Sequence, residues 1–209
     1  MLRYEPLQRP PIEIPMCVGD AVHNLRAALD FLMSYVIAGA TGDVTYVHFP
    51  LHDTRKNLEN AVQGVPINKA PEKIRNLILN ELDPCKTGNY ALWALNRLDR
   101  IDKHNFILPM IPMVGITFSG RPRDPGRTDV GGSWYADCHL SIVATEPGED
   151  FVMPQAIEFE GDPKPSFAVK FPRGGPFEDE PVLETLIHLA QSVSKVIDDF
   201  ERIHVASGT

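Results

Sequence analysis

Cysteine is scarce in this chain: Cys17, Cys85 and Cys138 are its three, and no two form a CxxC pair. That argues against a cysteine zinc cluster or a disulfide framework. It predicts a cytoplasmic protein whose thiols are small buried hydrophobes. Positive charge is also short, with 20 Lys and Arg against 28 Asp and Glu, a formal net charge of -8. Such a chain is not a bulk electrostatic binder of nucleic acid, so any such contact must come from a local basic patch. No apolar run reaches the roughly 18 residues of a membrane span, so no membrane partner is expected. The opening, "MLRYEPLQRPPIEIP", has no basic region followed by an apolar one, which predicts no secretory signal. P-loop, GxGxxG, GxSxG and HExxH motifs are missing, as are internal repeats, and no cofactor is expected.

What is present is strong helical periodicity at both ends of 209 residues, a length that suits one domain. Residues 1–15 hold four prolines and read as an extended arm. A helix near 16–38 follows, with Val18, Val22, Leu25, Leu29, Leu32 and Val36 stepping by three and four. "VTYVHFPLHD" reads as a short strand entering a turn at Pro50, and "RKNLENAVQG" as a helical turn or two. A second main helix is predicted from Pro71 to about Leu82, facing the core with Ile74, Leu77, Ile78 and Leu82. A third spans about 89–104. The composition then turns to Pro, Gly and β-branched residues. "FILPMIPMVGITF", "SWYADCHLSIVAT", "QAIEFEG" and "SFAVKF" read as strands, with "SGRPRDPGRTDVGG" (119–132) as a loop or hairpin tip. A last helix starts near Pro181, with Val182, Leu186, Leu189, Val193, Val196 and Phe200 as its buried stripe. The expected fold class is α+β: a bundle-like helical N-terminal half, an antiparallel β segment in the middle, and a long C-terminal helix packing back. The expected domain is a single one over 1–209. Its helical part covers about 16–105 plus 181–204, and its β part about 106–172.

Two polar constellations stand out. In "GDAVHNLRAALDF" (19–31), His23, Arg26 and Asp30 fall within an arc of roughly 60° beside the apolar stripe, at i, i+3 and i+7, where they can meet. Such a cluster can orient a histidine and hold an anion, or it can simply join helices. In "WALNRLDRIDKHNF" (93–106), Trp93, Arg97, Arg100 and His104 share one side, while Asp102 falls with Ala91, Leu95 and Leu98. A carboxylate among apolar residues needs a partner, and Arg26 or His23 is the expected one. The Trp93–His104 strip suits a phosphodiester with a base on the ring, or a solvated surface with Trp93 as partial core. His48 and His52 are four apart, but Pro50 between them disfavours a helical metal pair, and no metal is expected.

These stretches carry a resemblance. Gly19, Asp20, His23, Asn24, Leu25, Arg26, Leu29 and Asp30, then Phe49 and Pro50, then Asp102, Lys103 and His104, resemble a bacterial family of uncharacterised proteins. Its pattern is a GDxxHNLRxxLDH helix, an FPI-like segment and a later DKHR. The resemblance covers about residues 15–110. Phe31 stands where that pattern has histidine, and Asn105 where it has arginine. More distantly, Arg97 and His104, with six residues between them, resemble the Arg–His motif of the HEPN helical superfamily. That likeness implies a homodimer and metal-independent RNA cleavage through the 2′-hydroxyl, in a toxin or phage-defence setting. His104 would move a proton and Arg97 would stabilise the phosphorane.

The expected function is thus an HEPN-like RNA-binding or RNA-cleaving protein of the bacterial cytoplasm. Its expected catalytic set is Arg97, His104, His23, Arg26, Asp30 and Asp102, with Trp93, Arg100, Lys103 and Asn24 binding substrate. A second reading is a non-catalytic binding or assembly module in which the Asp/His/Arg network only locks helices. A third is a small-molecule or metal-dependent enzyme using His23, His48, His52 or His104.

Overall fold

A computed structural model of the chain describes residues 2–3, 11–42, 44–104, 107, 109, 113–122, 138–140, 150–151 and 157–205. In 2–3, 113–122, 138–140, 150–151, 157–167 and 204–205 the backbone alone is described. The chain divides into two compact units, Ile12–Pro109 with Phe171–Thr209, and Met1–Pro11 with Met110–Lys170.

The first of these units is helical. Helix α1 spans Glu13–Thr41. Pro15 is harmless there, because a first-turn N–H has no intrahelical partner. Gly42 ends the helix in the left-handed region, φ 76°, and its N–H reaches the Ala38 carbonyl at 2.8 Å. Helix α2, Arg55–Gln63, starts under a Thr54 cap that accepts the Asn57 N–H. After a 3₁₀ turn at Ile67–Lys69, helix α3, Glu72–Asn76, widens into a π-helical stretch at Leu77–Leu82. The regular helix expected to run on to Leu82 is broken for a traceable reason. The Asp83 N–H bonds the Ile78 carbonyl, while the guanidinium of Arg55 occupies the Leu79 carbonyl. Arg55 also holds Asp83 at 3.0 Å and Glu59 at 3.0 Å, and these hydrogen bonds, that to Glu59 first, keep its guanidinium more basic than usual. Helix α4 is Tyr90–His104, with the Asn89 side chain accepting the Leu92 N–H, and helix α5 is Val182–Val205.

Helices α1, α4 and α5 pack on one another. Their shared core holds Val22, Leu29 and Met33 of α1, Leu92, Leu95 and Leu98 of α4, and Leu189, Val193, Val196 and Phe200 of α5. Burying each such side chain contributes about 1.5–3 kcal/mol. Phe49 enters the same core, its ring 6.0 Å from that of Phe200. No helix among the described residues is long and apolar enough to cross a membrane.

The α+β expectation, with its antiparallel β segment in the middle of the chain, needs correction. Over the residues described with side chains, 68% are helical, 3% are strand and no sheet forms. The strand residues there are single bridges, such as that between His52 and Cys85. "VTYVHFPLHD" shows the physical reason. Val47, Phe49 and Leu51 are buried while Val44 and Tyr46 are exposed, an alternation that suits a strand, but beyond the single bridge at His52 the backbone has no neighbouring strand. The Phe49 N–H donates to the Asp30 carboxylate at 2.7 Å, and the Phe49 carbonyl accepts from Arg26 at 3.2 Å. Helix side chains take the place of a ladder.

In the second unit the backbone of Met113–Pro122 runs antiparallel to Ile157–Phe167 and to Cys138–Leu140. Residues 119–122, expected in a loop, belong to the Met113–Pro122 strand, whereas Ile107, Pro109 and residues 168–171, expected in strands, are described and form none beyond a bridge at Lys170; the other residues of the predicted strand stretches, and 123–132, lie outside the described residues.

Candidate functional site

Helices α1 and α4 run antiparallel, because Gly19 meets Asp102, His23 meets Asp99 and Arg26 meets Asn96. Their polar contacts form two layers. The deeper layer centres on Arg26, which is 8% exposed. Its Nε donates to Asn96 at 3.1 Å, its Nη1 to Asp30, and its Nη2 to the Phe49 carbonyl. Asp30 accepts the Phe49 N–H as well, and its other oxygen lies 3.3 Å from Nδ1 of His48. One guanidinium thereby joins α1, α4 and the 48–50 segment.

The outer layer, so called for its exposed partners, centres on Asp99, whose own side chain is buried at 5% exposed. It holds Nδ1 of His23 at 3.0 Å and Nζ of Lys103 at 2.7 Å. The His23 side chain is 55% exposed. With Nδ1 turned to the carboxylate, Nδ1 carries the proton and Nε2 is the basic nitrogen left for a ligand. Arg97, Arg100 and His104 are exposed on the next face of α4 and have no partner among the described residues. At about 100° per residue, Lys103, Arg100, His104 and Arg97 occupy a continuous arc that starts at the His23 contact. The shallow groove between α1 and α4 at Asp99 is therefore flanked by His23 on one side and by Lys103 and Arg100 on the other, while His104 and Arg97 lie about 140° and 160° around α4 from Asp99, on the face turned away from α1.

The expected residues do not all gather there. His23 and Arg26 do reach α4, at Asp99 and Asn96, while Asp30 turns to Arg26, Phe49 and His48; Lys103 joins His23 at Asp99, and Arg100, Arg97 and His104 are exposed farther round α4. Asp102 does not pair with Arg26 or His23. Its Oδ1 is buried without a partner, and its carboxylate packs against the bare Cα of Gly19. A Cβ at Gly19 would lie 2.5 Å from both carboxylate oxygens, so any larger residue there has to displace the Asp102 side chain. Trp93 is already engaged: Nε1 donates to Asp53 at 2.7 Å, Lys86 lies 5.1 Å above the ring and Tyr90 packs beside it at 5.2 Å. Asn24 is exposed on the outward side of α1.

Sequence reasoning missed Asp99, Asn96 and the role of His48. Asp99 had a readable signal. It stands at i+7 from Leu92 and i+4 from Leu95, on the seam itself, and four before Lys103. Nothing local marks His48, because its partner Asp30 is 18 residues away.

Among the described residues no three His, Cys, Asp or Glu side chains gather to hold a metal ion. Away from the groove, burial lowers the pKa of His52 below 6.5, with Asp53 opposing. Cys85 is buried and Cys17 exposed. No family model, curated protein or solved structure matches this chain.

Proposed function

We propose that the α1–α4 groove binds RNA and cleaves it without a metal. The observation that carries this reading is His23, held at Nδ1 by a buried carboxylate, open at Nε2, and next to a cationic rim. The rim supplies the local basic patch that an acidic chain needs to hold a phosphodiester. Cleavage needs a base for the 2′-hydroxyl, an acid for the leaving 5′-oxygen and fixed positive charge at the phosphorane. Nε2 of His23 takes the 2′-proton as O2′ attacks phosphorus. His104 gives a proton to the 5′-oxygen as the P–O bond breaks. Arg97 and Arg100 neutralise the equatorial oxygens.

The deeper layer favours a second reading for its own residues. All three hydrogen bonds of Arg26 end inside the protein, as expected of a lock in a non-catalytic binding or assembly module. Asp30 and Arg26 fit that role even where the rim acts on RNA.

The test incubates the protein with single-stranded and structured RNA in EDTA, beside His23→Ala and His104→Ala. Cleavage that leaves 2′,3′-cyclic phosphate ends, fails on a 2′-deoxy substrate and falls about 10²- to 10⁴-fold in each variant supports the reading. Binding without cleavage leaves only the RNA-binding part. Equal cleavage by all three proteins, or no binding at all, refutes it.

A further inference from the structure

Asp99 is buried on the seam between α1 and α4, yet the two side chains it binds are both about half in solvent. Its oxygens are used separately. Oδ1 meets Nδ1 of His23 at 3.0 Å, and Oδ2 accepts from Nζ of Lys103 at 2.7 Å. Taking a carboxylate out of water is costly, and a neutral imidazole alone would leave its charge unmatched. Lys103, one turn further along α4, matches it. His23 is therefore free to bind Asp99 as a neutral donor, through Nδ1–H, rather than as a cation. In water an unheld neutral imidazole carries its proton mostly on Nε2. A carboxylate at Nδ1 reverses that choice and leaves the lone pair on Nε2, the nitrogen turned away from Asp99.

We infer that Asp99 is a positioning residue that fixes His23 as its Nδ1–H tautomer, and that Lys103 serves Asp99 rather than the substrate. This inference rests on the RNA reading of the same groove, in which Nε2 of His23 takes the 2′-proton. A histidine with its proton on Nε2 cannot take it, because it offers a donor where the step needs an acceptor. Asp99 and Lys103 thus set the direction of the proton transfer without touching RNA. The same geometry divides the cations of α4 into two kinds. The charge of Lys103 is matched inside the protein, whereas Arg100, three residues earlier, is exposed and without a partner among the described residues. Beside His23, the phosphate contact falls to Arg100.

The experiment reads the imidazole nitrogens of the ¹⁵N-labelled chain by NMR without RNA, at about pH 8.5, above the usual imidazole range. His23→Ala locates the His23 signals. Wild type is expected to show His23 protonated at Nδ1 and bare at Nε2. Asp99→Asn is expected to lose that fixed tautomer and to cleave RNA about 10²- to 10⁴-fold more slowly, with single-strand affinity little changed. Lys103→Gln is expected to cleave about 5-fold more slowly while keeping the wild-type salt slope of RNA affinity, and Lys103→Arg, which restores the ion pair, to recover the rate. Circular dichroism checks the fold of each variant, and the wild-type tautomer tests the Asp99 assignment even if Asp99→Asn does not fold. His23 protonated at Nε2 in wild type, or Asp99→Asn with the wild-type tautomer and rate, overturns the inference while leaving the RNA reading. A salt slope shallower by about 0.7 in Lys103→Gln makes Lys103 a phosphate contact and overturns its assignment to Asp99. A wild type that neither binds nor cleaves RNA refutes the RNA reading, and with it the catalytic role of the pair, whatever tautomer is read.

Discussion

Replacing Arg26 by methionine keeps the aliphatic stem in place and removes only the guanidinium, so it isolates the deeper polar layer. Three partners are stranded: the Asn96 side chain at 3.1 Å, the Phe49 carbonyl at 3.2 Å and one oxygen of Asp30. Breaking a buried ion pair by removing one partner costs about 3–5 kcal/mol. Two features place this case near the lower end. Asp30 keeps the Phe49 N–H at 2.7 Å, and its side chain is 26% exposed, so water replaces part of what is lost. The expected loss is therefore about 3 kcal/mol, or a thermal midpoint lower by about 6–12 °C for a chain of this length. Asp30→Asn, which strands the more deeply buried cation instead, is expected to cost at least as much. Combined in one protein, the two changes are expected to cost clearly less than their sum, because each removes the same pair. Differential scanning calorimetry with urea titration reads all of these. A midpoint within about 1 °C of wild type for Arg26→Met, or strict additivity in the double variant, would refute the claim that this network holds the two helices together.

Gly19→Ala places a Cβ against both oxygens of Asp102 and is expected to destabilise by about 1–2 kcal/mol in urea titration, overpacking outweighing the helix-propensity gain. In an Asp102→Ala background the obstacle is gone, and the same substitution is expected to stabilise by up to about 1 kcal/mol; the same sign in both backgrounds would refute the close crossing. Burial holds the pKa of His52 below 6.5, so the unfolded chain takes up a proton there before the folded one does. The stability this neutral His52 provides is complete above the unfolded value and is lost as pH falls from it towards the lower folded value. His52→Gln is accordingly expected to lose less stability than wild type between about pH 7.5 and 5.5, and parallel profiles would contradict that.

The helices were legible where one apolar stripe was enough. Val18, Val22 and Leu29 on α1, and Leu189, Val193, Val196 and Phe200 on α5, are buried as their spacing demands. Phase was harder on α4. A seam through Ala91, Leu95, Leu98 and Asp102 and one through Leu92, Leu95, Asp99 and Asp102 share two residues and differ by a small rotation. Only His23 on another helix, which pairs with Asp99, decides between them. The 44–51 stretch misled because alternating apolar residues imply a strand only if another strand satisfies the backbone, and here Arg26 and Asp30 do so. The widened turn at Leu77–Leu82 depends on Arg55, which lies 24 residues before the carbonyl it takes. Every one of these misses comes from a side chain distant in sequence that satisfies a polar group which local patterns assign to regular structure.

The central claim is that the cationic rim of the α1–α4 groove holds an RNA backbone, and the salt dependence of binding tests it most directly. Single-stranded RNA affinity is measured by anisotropy between about 50 and 200 mM salt for wild type and for an Arg97→Gln, Arg100→Gln double variant. Both arginines are exposed and unpartnered among the described residues, so the variant keeps its fold. Each lost phosphate contact is expected to lower the slope of log affinity against log salt by about 0.7, so the double variant should bind more weakly with a slope shallower by about 1.4. The same affinity and the same slope in both proteins would contradict the claim.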